Sequence, residues 1–168
     1  MTADASSSSV LPAGRIDIHC HLLPGVDDGS STLDESIELI RRFQQLGFAG
    51  SICTPHIYPA MYPNNTLENI RLLVNHMQED LASAGIHYKL WPGGEIRAGV
   101  DIIPWLKANG VPTLADSRCV LIDFWEEKWP RYAIQLFEWL LAEKYQPVLA
   151  HPERIKCCFT DTKKLAQV

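Results

Sequence analysis

With 168 residues and a mass of 18.9 kDa, 46% of it hydrophobic by residue count, the chain can bury one sizeable core and has little room for two. A formal net charge of -5 and a pI near 5.6 supply no basic field for a phosphate backbone, which argues against sequence-independent nucleic-acid binding. No apolar run approaches the ~18 to 20 residues that span a bilayer, and Met1 to Ser9 lacks the basic and apolar segments of a secretory signal. Membrane insertion is therefore not expected, and a cytoplasmic location is.

Residues 1–14 are Ser-rich without apolar periodicity and read as a flexible leader; one domain, residues 15–168, follows. Its opening is a βαβ unit: a strand from Ile16 to His19, a helix from Leu33 to Leu46 stopped by Gly47, and a strand from Phe48 to Thr54. Ser30, Ser31 or Thr32 can cap that helix, Asp34 and Glu35 suit its positive end, and Ile37, Ile40 and Phe43 face the sheet. A second helix runs from about Thr66 to Ser83, capped by Asn64, Asn65 or Thr66, with the stripe Leu67, Ile70, Leu73, Val74, Met77 and Leu81. There follow a strand from Tyr88 to Trp91, the run Gly93-Gly94-Glu95, a short helix near Val100 to Asn109, a strand from Cys119 to Phe124, a helix from Arg131 to Lys144, a strand from Pro147 to Ala150, and a turn from Thr160 onward. Strand and helix alternate about five times, which argues a parallel sheet with right-handed crossovers, open or closed into a barrel.

The residues that carry chemistry recur at corresponding places. His19 and His21 flank one residue in the β-rich run from Ile16 to His21, so both imidazoles share a side of the strand and converge on one point. Asp28 follows seven residues later; His56 comes in Cys53-Thr54-Pro55-His56, Glu95 in Gly93-Gly94-Glu95 and His151 in Ala150-His151-Pro152-Glu153-Arg154. His19, Thr54, Glu95, Asp123 and His151 all fall where strands are expected to end at their C-termini, the rim on which parallel α/β folds build active sites. A single histidine is more often a satisfied or solvent-facing imidazole, as His76 and His87 are expected to be, but four with carboxylates between them point to one shared site. Nitrogen and oxygen donors without thiolate suit zinc, manganese or iron, and several carboxylates favour a multinuclear hydrolytic site, with Glu95 the best bridge. Asp27 and Asp28 also fit plain Asp-Gly turn chemistry. Arg154 has the side chain best shaped to hold phosphate oxygens; an ion pair with Glu153 or Asp161 is the alternative. The five tryptophans read as core and loop packing, with Trp125 a candidate pocket wall; Glu126, Glu127 and Lys128 read as a solvated loop. The five cysteines, including the vicinal Cys157-Cys158, read as thiols rather than a disulfide framework.

In combination, Asp17-Ile18-His19-Cys20-His21, Val26-Asp27-Asp28-Gly29, Thr54-Pro55-His56, Gly94-Glu95-Ile96, the run from Val111 to Arg118, Leu121-Ile122-Asp123-Phe124 and Ala150-His151-Pro152-Glu153-Arg154 resemble the polymerase and histidinol phosphatase (PHP) family. The likeness is strongest to its bacterial protein-tyrosine phosphatase branch associated with capsular and exopolysaccharide synthesis. It implies a distorted (β/α) barrel and two or three divalent ions, manganese above zinc or iron. His19, His21 and Glu95 would hold the first, Glu95, Asp123 and His151 the second, and Asp28 with His56 the third, while Arg154 holds phosphate. The implied reaction is hydrolysis of phosphotyrosine on a protein, a bacterial tyrosine kinase, by activated water. In keeping with this, no cysteine has an arginine six positions later, so a cysteine-nucleophile loop is absent. Two departures stand out. Asp123 occupies a position where the family usually has glutamate, and the family's late Asp-x-His motif has no counterpart after Arg154. The expectation is thus a C-terminally incomplete member, lacking the last strands and helices of its barrel, with open strand edges that self-association or a partner would cover. The alternatives are a catalytically inactive metal-binding or kinase-docking remnant, and a small-molecule phosphatase of the histidinol-phosphatase type.

Overall fold

The structure, a computed structural model, describes residues 13–125 and 129–155. Most of the Ser-rich leader, the loop from Glu126 to Lys128, the Cys157-Cys158 pair, Asp161 and the turn after Thr160 lie outside the described residues. The chain is a mixed α/β fold with parallel strands: β1 (Arg15–Cys20), α1 (Leu33–Gln45), β2 (Phe48–Cys53), β3 (His56–Ile57), α2 (Leu67–Ser83), β4 (Lys89–Pro92), β5 (Glu95–Arg97), α3 (Ile102–Asn109), β6 (Cys119–Asp123), α4 (Ala133–Ala142) and β7 (Gln146–Leu149).

The strands form two sheets, β1-β2-β4 and β3-β5-β6-β7. They are one sheet bent at a common break. Cys53 pairs with Pro92, both strands then skip two residues, and pairing resumes in the same register at His56 and Glu95. Across the gap the amide of Glu95 still donates to the Pro55 carbonyl at 3.1 Å. Pro55 brings no amide to the ladder on one side. On the other, Gly93 and Gly94 permit a close approach, since a Cβ on either would sit 2.7 Å from Ile52 or Ile57. Glu95 therefore starts β5 instead of ending the strand that begins at Lys89, and His56 belongs to a two-residue strand that the sequence pattern is too short to reveal.

Counted by position, five strands follow one another in chain order, with β2 continuing as β3 and β4 as β5. Among the described residues β1 and β7 do not pair with each other. The helices cover this sheet as their apolar stripes require. Ile40 of α1, Ile70, Val74, Met77 and Leu81 of α2, and Leu136, Phe137 and Leu140 of α4 are buried in one core cluster. Thr32 caps α1 by accepting from the Glu35 amide at 3.3 Å, and Thr66 caps α2 by accepting from the Asn69 amide at 3.3 Å. That choice frees Asn65, whose side-chain amide donates to the carbonyls of His56 (2.9 Å) and Val26 (3.2 Å) and ties two loops together beside the strand ends. No helix among the described residues is long and apolar enough to cross a membrane.

Candidate metal centre

The carboxylate of Glu95 is the hub of the mouth formed by these strand ends. It is fully buried, and four histidines reach it. His19 Nε2 lies 3.1 Å and His151 Nε2 3.5 Å from Oε1; His56 Nδ1 lies 2.9 Å and His21 Nε2 3.3 Å from Oε2. Despite these distances, neither Glu95 oxygen nor His56 Nδ1 makes an aligned hydrogen bond. Donor atoms crowded together without pointing at one another converge on shared space, an arrangement that a cation satisfies. The imidazoles form a chain of close rings, His151 to His19 at 4.9 Å, His19 to His21 at 5.6 Å and His21 to His56 at 4.7 Å between centroids.

Two groups gather their ligand atoms within 4.8 Å of one another: His19, His21 and Glu95, and His21, Asp28 and His56. In the second, the exposed Asp28 places Oδ1 3.3 Å from His56 Nε2. Glu95, Asp123 and His151 do not form a third such group among the described residues. Asp123 ends β6 with its carboxylate buried, both oxygens without a hydrogen bond, and Arg154 Nη1 3.6 Å away. Arg154 thus turns toward Asp123, while Glu153 takes Nδ1 of His151 at 3.1 Å. His151 itself adopts φ 47° and ψ 47°, a left-handed conformation unusual for a residue with a Cβ. Together with Phe124, Trp125 and Arg154, the histidines, Asp28 and Glu95 line an open cavity of about 830 Å³.

Asp27 is the residue that sequence reasoning passed over as turn chemistry. Its buried carboxylate accepts from the amides of Gly29 (3.0 Å) and His56 (2.9 Å) and bonds His21 Nδ1 at 2.6 Å. One aspartate thereby fixes the loop, the start of β3 and the ring of His21, leaving Nε2 of that ring to face Glu95. The signal in the sequence was the doubled Asp27-Asp28 ahead of Gly29: the first turns inward, the second outward. A second anchor is Thr54, whose hydroxyl accepts from the Cys20 amide at 3.0 Å and whose amide donates to the Cys20 carbonyl at 2.8 Å, holding the residue between the two histidines.

The electrostatics follow from this packing. Burial pushes the Glu95 carboxyl up, but the imidazoles of His19, His21 and His56 outweigh it and hold the group well below the usual carboxylate range. Burial opposes a charge on His21, yet Asp27 and Glu95 overcome it and lift the imidazole to about 10, with Asp27 lowered in turn. Asp123 goes the other way, raised first by burial and then by the negative charge of Glu95. His76 and His87 stay out of the cavity lining, and Cys20, Cys53 and Cys119 are free thiols.

A family model described as capsular polysaccharide synthesis, CpsB/CapC, matches residues 15–168. The chain is 37% identical over 139 residues to tyrosine-protein phosphatase YwqE of Bacillus subtilis, covering 83% of this chain and 54% of that protein. It is 34% identical over 141 residues to the putative tyrosine-protein phosphatase CapC of Staphylococcus aureus, covering 84% and 55%. A solved structure from work on YwqE and on CpsB of Streptococcus pneumoniae, described as unique metal-dependent tyrosine phosphatases, superposes with a TM-score of 0.83 at 35% identity over 91% of this chain and 62% of that one. The chain thus spans little more than half the length of the relatives it matches.

Proposed function

Because the chain belongs to the CpsB/CapC family of capsular polysaccharide synthesis, we propose that residues 15–168 act as a divalent-metal-dependent phosphomonoesterase whose substrate is phosphotyrosine on a protein. The observation that carries this reading is the buried Glu95 carboxylate ringed by four histidines whose donor atoms converge without bonding one another. Relatives named as tyrosine phosphatases, one of them solved and described as metal-dependent, support it.

A divalent ion bound by these residues, manganese in our reading, would supply Lewis-acid activation of water and neutralise phosphoryl charge. His19, His21 and Glu95, whose ligand atoms gather within 4.8 Å of one another, would hold one ion, and Glu95 has a second oxygen free to be shared with another. His21, Asp28 and His56, the second such group, would hold another ion, and His151 and Asp123 would complete the shell on the far side of Glu95. Asp27 bonds Nδ1 of His21 and so orients the ring with Nε2 toward Glu95. Arg154, on the cavity wall, has the planar fork that grips two oxygens of a phosphoryl group. Among the described residues, none that lines the cavity is a cysteine. The same reading puts the protein in the cytoplasm, takes a bacterial tyrosine kinase of the polysaccharide machinery as the phosphoprotein, and allows self-association along the edges of β1 and β7, which are unpaired among the described residues.

Turnover of p-nitrophenyl phosphate and of a phosphotyrosine peptide, with and without manganese, tests it. Hydrolysis stimulated by manganese, abolished by chelator and lost in His21→Ala is expected. Activity indifferent to both chelator and that substitution would sink the proposal. Stoichiometric metal binding without turnover would favour the inactive remnant, and a preference for small aliphatic esters the histidinol-phosphatase type.

A further inference from the structure

Three neighbouring strands repeat one pattern at the mouth of the cavity. Tyr58 stands two residues past His56, Arg97 two past Glu95, and Trp125 two past Asp123. Arg97 shares a side of β5 with Glu95, and Tyr58 and Trp125 lie just past the ends of β3 and β6, so the three stand above the candidate ligands. They form a single cluster. The Trp125 and Tyr58 rings lie 5.5 Å apart at 77°, and the Arg97 guanidinium carbon sits 4.8 Å from the first ring and 5.0 Å from the second.

The cluster leans on the metal centre. Trp125 meets the His56 ring edge-on at 5.6 Å, and Tyr62 stacks on that same imidazole at 5.9 Å with 11° between planes. Trp125 remains 41% exposed while lining the cavity, so the indole presents apolar surface to whatever enters. Arg97 touches both rings without lining the cavity, and its Nη1 donates to the Ala98 carbonyl at 3.1 Å. A guanidinium committed to two ring faces and a carbonyl orients its neighbours instead of meeting phosphate.

We propose that Trp125 is the wall against which the aryl group of an aromatic phosphomonoester packs, with Arg97 the positioning residue that holds Trp125 and Tyr58 in place, so that the site discriminates aryl from alkyl esters. This rests on the phosphoesterase reading and names the specificity device of the same site. An aryl ester carries its flat ring one oxygen from phosphorus, within reach of the edge of a cavity whose floor holds the phosphoryl group; an alkyl ester has no such ring. A well-placed aromatic pair contributes about two- to ten-fold in affinity.

The test compares kcat/KM for p-nitrophenyl phosphate and glycerol phosphate in the wild-type chain, Trp125→Ala, Arg97→Met and Arg97→Lys, loaded with manganese. Trp125→Ala is expected to lower the aryl-to-alkyl ratio about two- to ten-fold, chiefly through the aryl KM. Arg97→Met lowers the same ratio by less, and Arg97→Lys restores part of it. An unchanged ratio in Trp125→Ala overturns the aryl wall; an unchanged ratio in Arg97→Met overturns the positioning role. A second arm needs no turnover. Phenyl phosphate is expected to quench tryptophan fluorescence in the wild type and not in Trp125→Phe, with inorganic phosphate inert in both. If the wild type hydrolyses neither ester, the catalytic reading fails, and the fluorescence arm alone decides the aryl wall: quenching confined to phenyl phosphate and to Trp125 supports it, and its absence rejects it.

Discussion

The two sides of the cavity are built on different terms. On the β1 and β3 side the histidine candidates sit in a support network: Asp27 bonds the ring of His21 and the amide of His56, Asn65 holds the His56 carbonyl, and Thr54 clamps Cys20 between His19 and His21. On the β6 and β7 side, Asp123 is buried with both oxygens unbonded, Arg154 stands 3.6 Å off, and His151 occupies a left-handed backbone position steadied by the exposed Glu153. One side is held by a hydrogen-bond network; on the other a buried carboxylate faces only a distant ion pair. The difference teaches that, in the proposed metal centre, the supported side would fix the ligand geometry and the buried carboxylate side would favour a cation.

Glu95 belongs to both sides, and removing its charge should have the largest effect. Glu95→Gln is expected to cut manganese-dependent kcat/KM on the order of a thousand-fold, read from p-nitrophenyl phosphate turnover alongside calorimetric metal titration. Retained tight binding would mean that the four histidines suffice without their hub. Next comes the support. Asp27→Asn should weaken metal binding roughly 10- to 100-fold while leaving the fold intact by circular dichroism; an unaltered affinity would erase the contrast between the two sides. Arg154→Lys keeps the charge and loses the fork, so KM for a phosphate ester should rise several-fold, about ten-fold at most, with a smaller change in kcat.

The smallest effect sharpens the comparison most. Asp123 has its carboxyl raised in the folded chain, so ionising it opposes folding: with chelator present, this group makes the protein more stable as pH falls through the folded value and less stable as pH rises. Asp123→Asn removes that burden. It should raise the melting temperature in chelator by roughly 2–4 °C at neutral pH, the equivalent of about 1 kcal/mol for a chain of this length, and flatten the pH dependence. A fall in melting temperature would show that the carboxylate already has a satisfying partner.

Much of this was legible before any coordinates. The pair His19 and His21 converges because the period of a strand is two, and the stripe from Ile70 to Leu81 buries because the period of a helix is near four; both are local rules that need no knowledge of the rest of the chain. The caps at Thr32 and Thr66 were narrowed to three candidates each, and the choice between them fell to loop packing, which drew Asn65 inward to two carbonyls. The strand break was hidden for a related reason. A two-residue strand has no periodicity of its own, and His56 and Ile57 are a strand only because β5 lies alongside.

From its own order of residues the chain determined that His19 and His21 share a side of β1, and which residues carry metal-binding chemistry, because alternation and turn chemistry act over a few neighbours; that Glu95 opens a strand instead of ending one was not determined there. Only the tertiary structure decided that Glu95 is the common target of four imidazoles, that Asp27 turns inward while Asp28 faces out, and that Tyr58, Arg97 and Trp125 close into one cluster. Those outcomes depend on distances between strands that are remote along the chain, and on competition for buried space that no local pattern encodes.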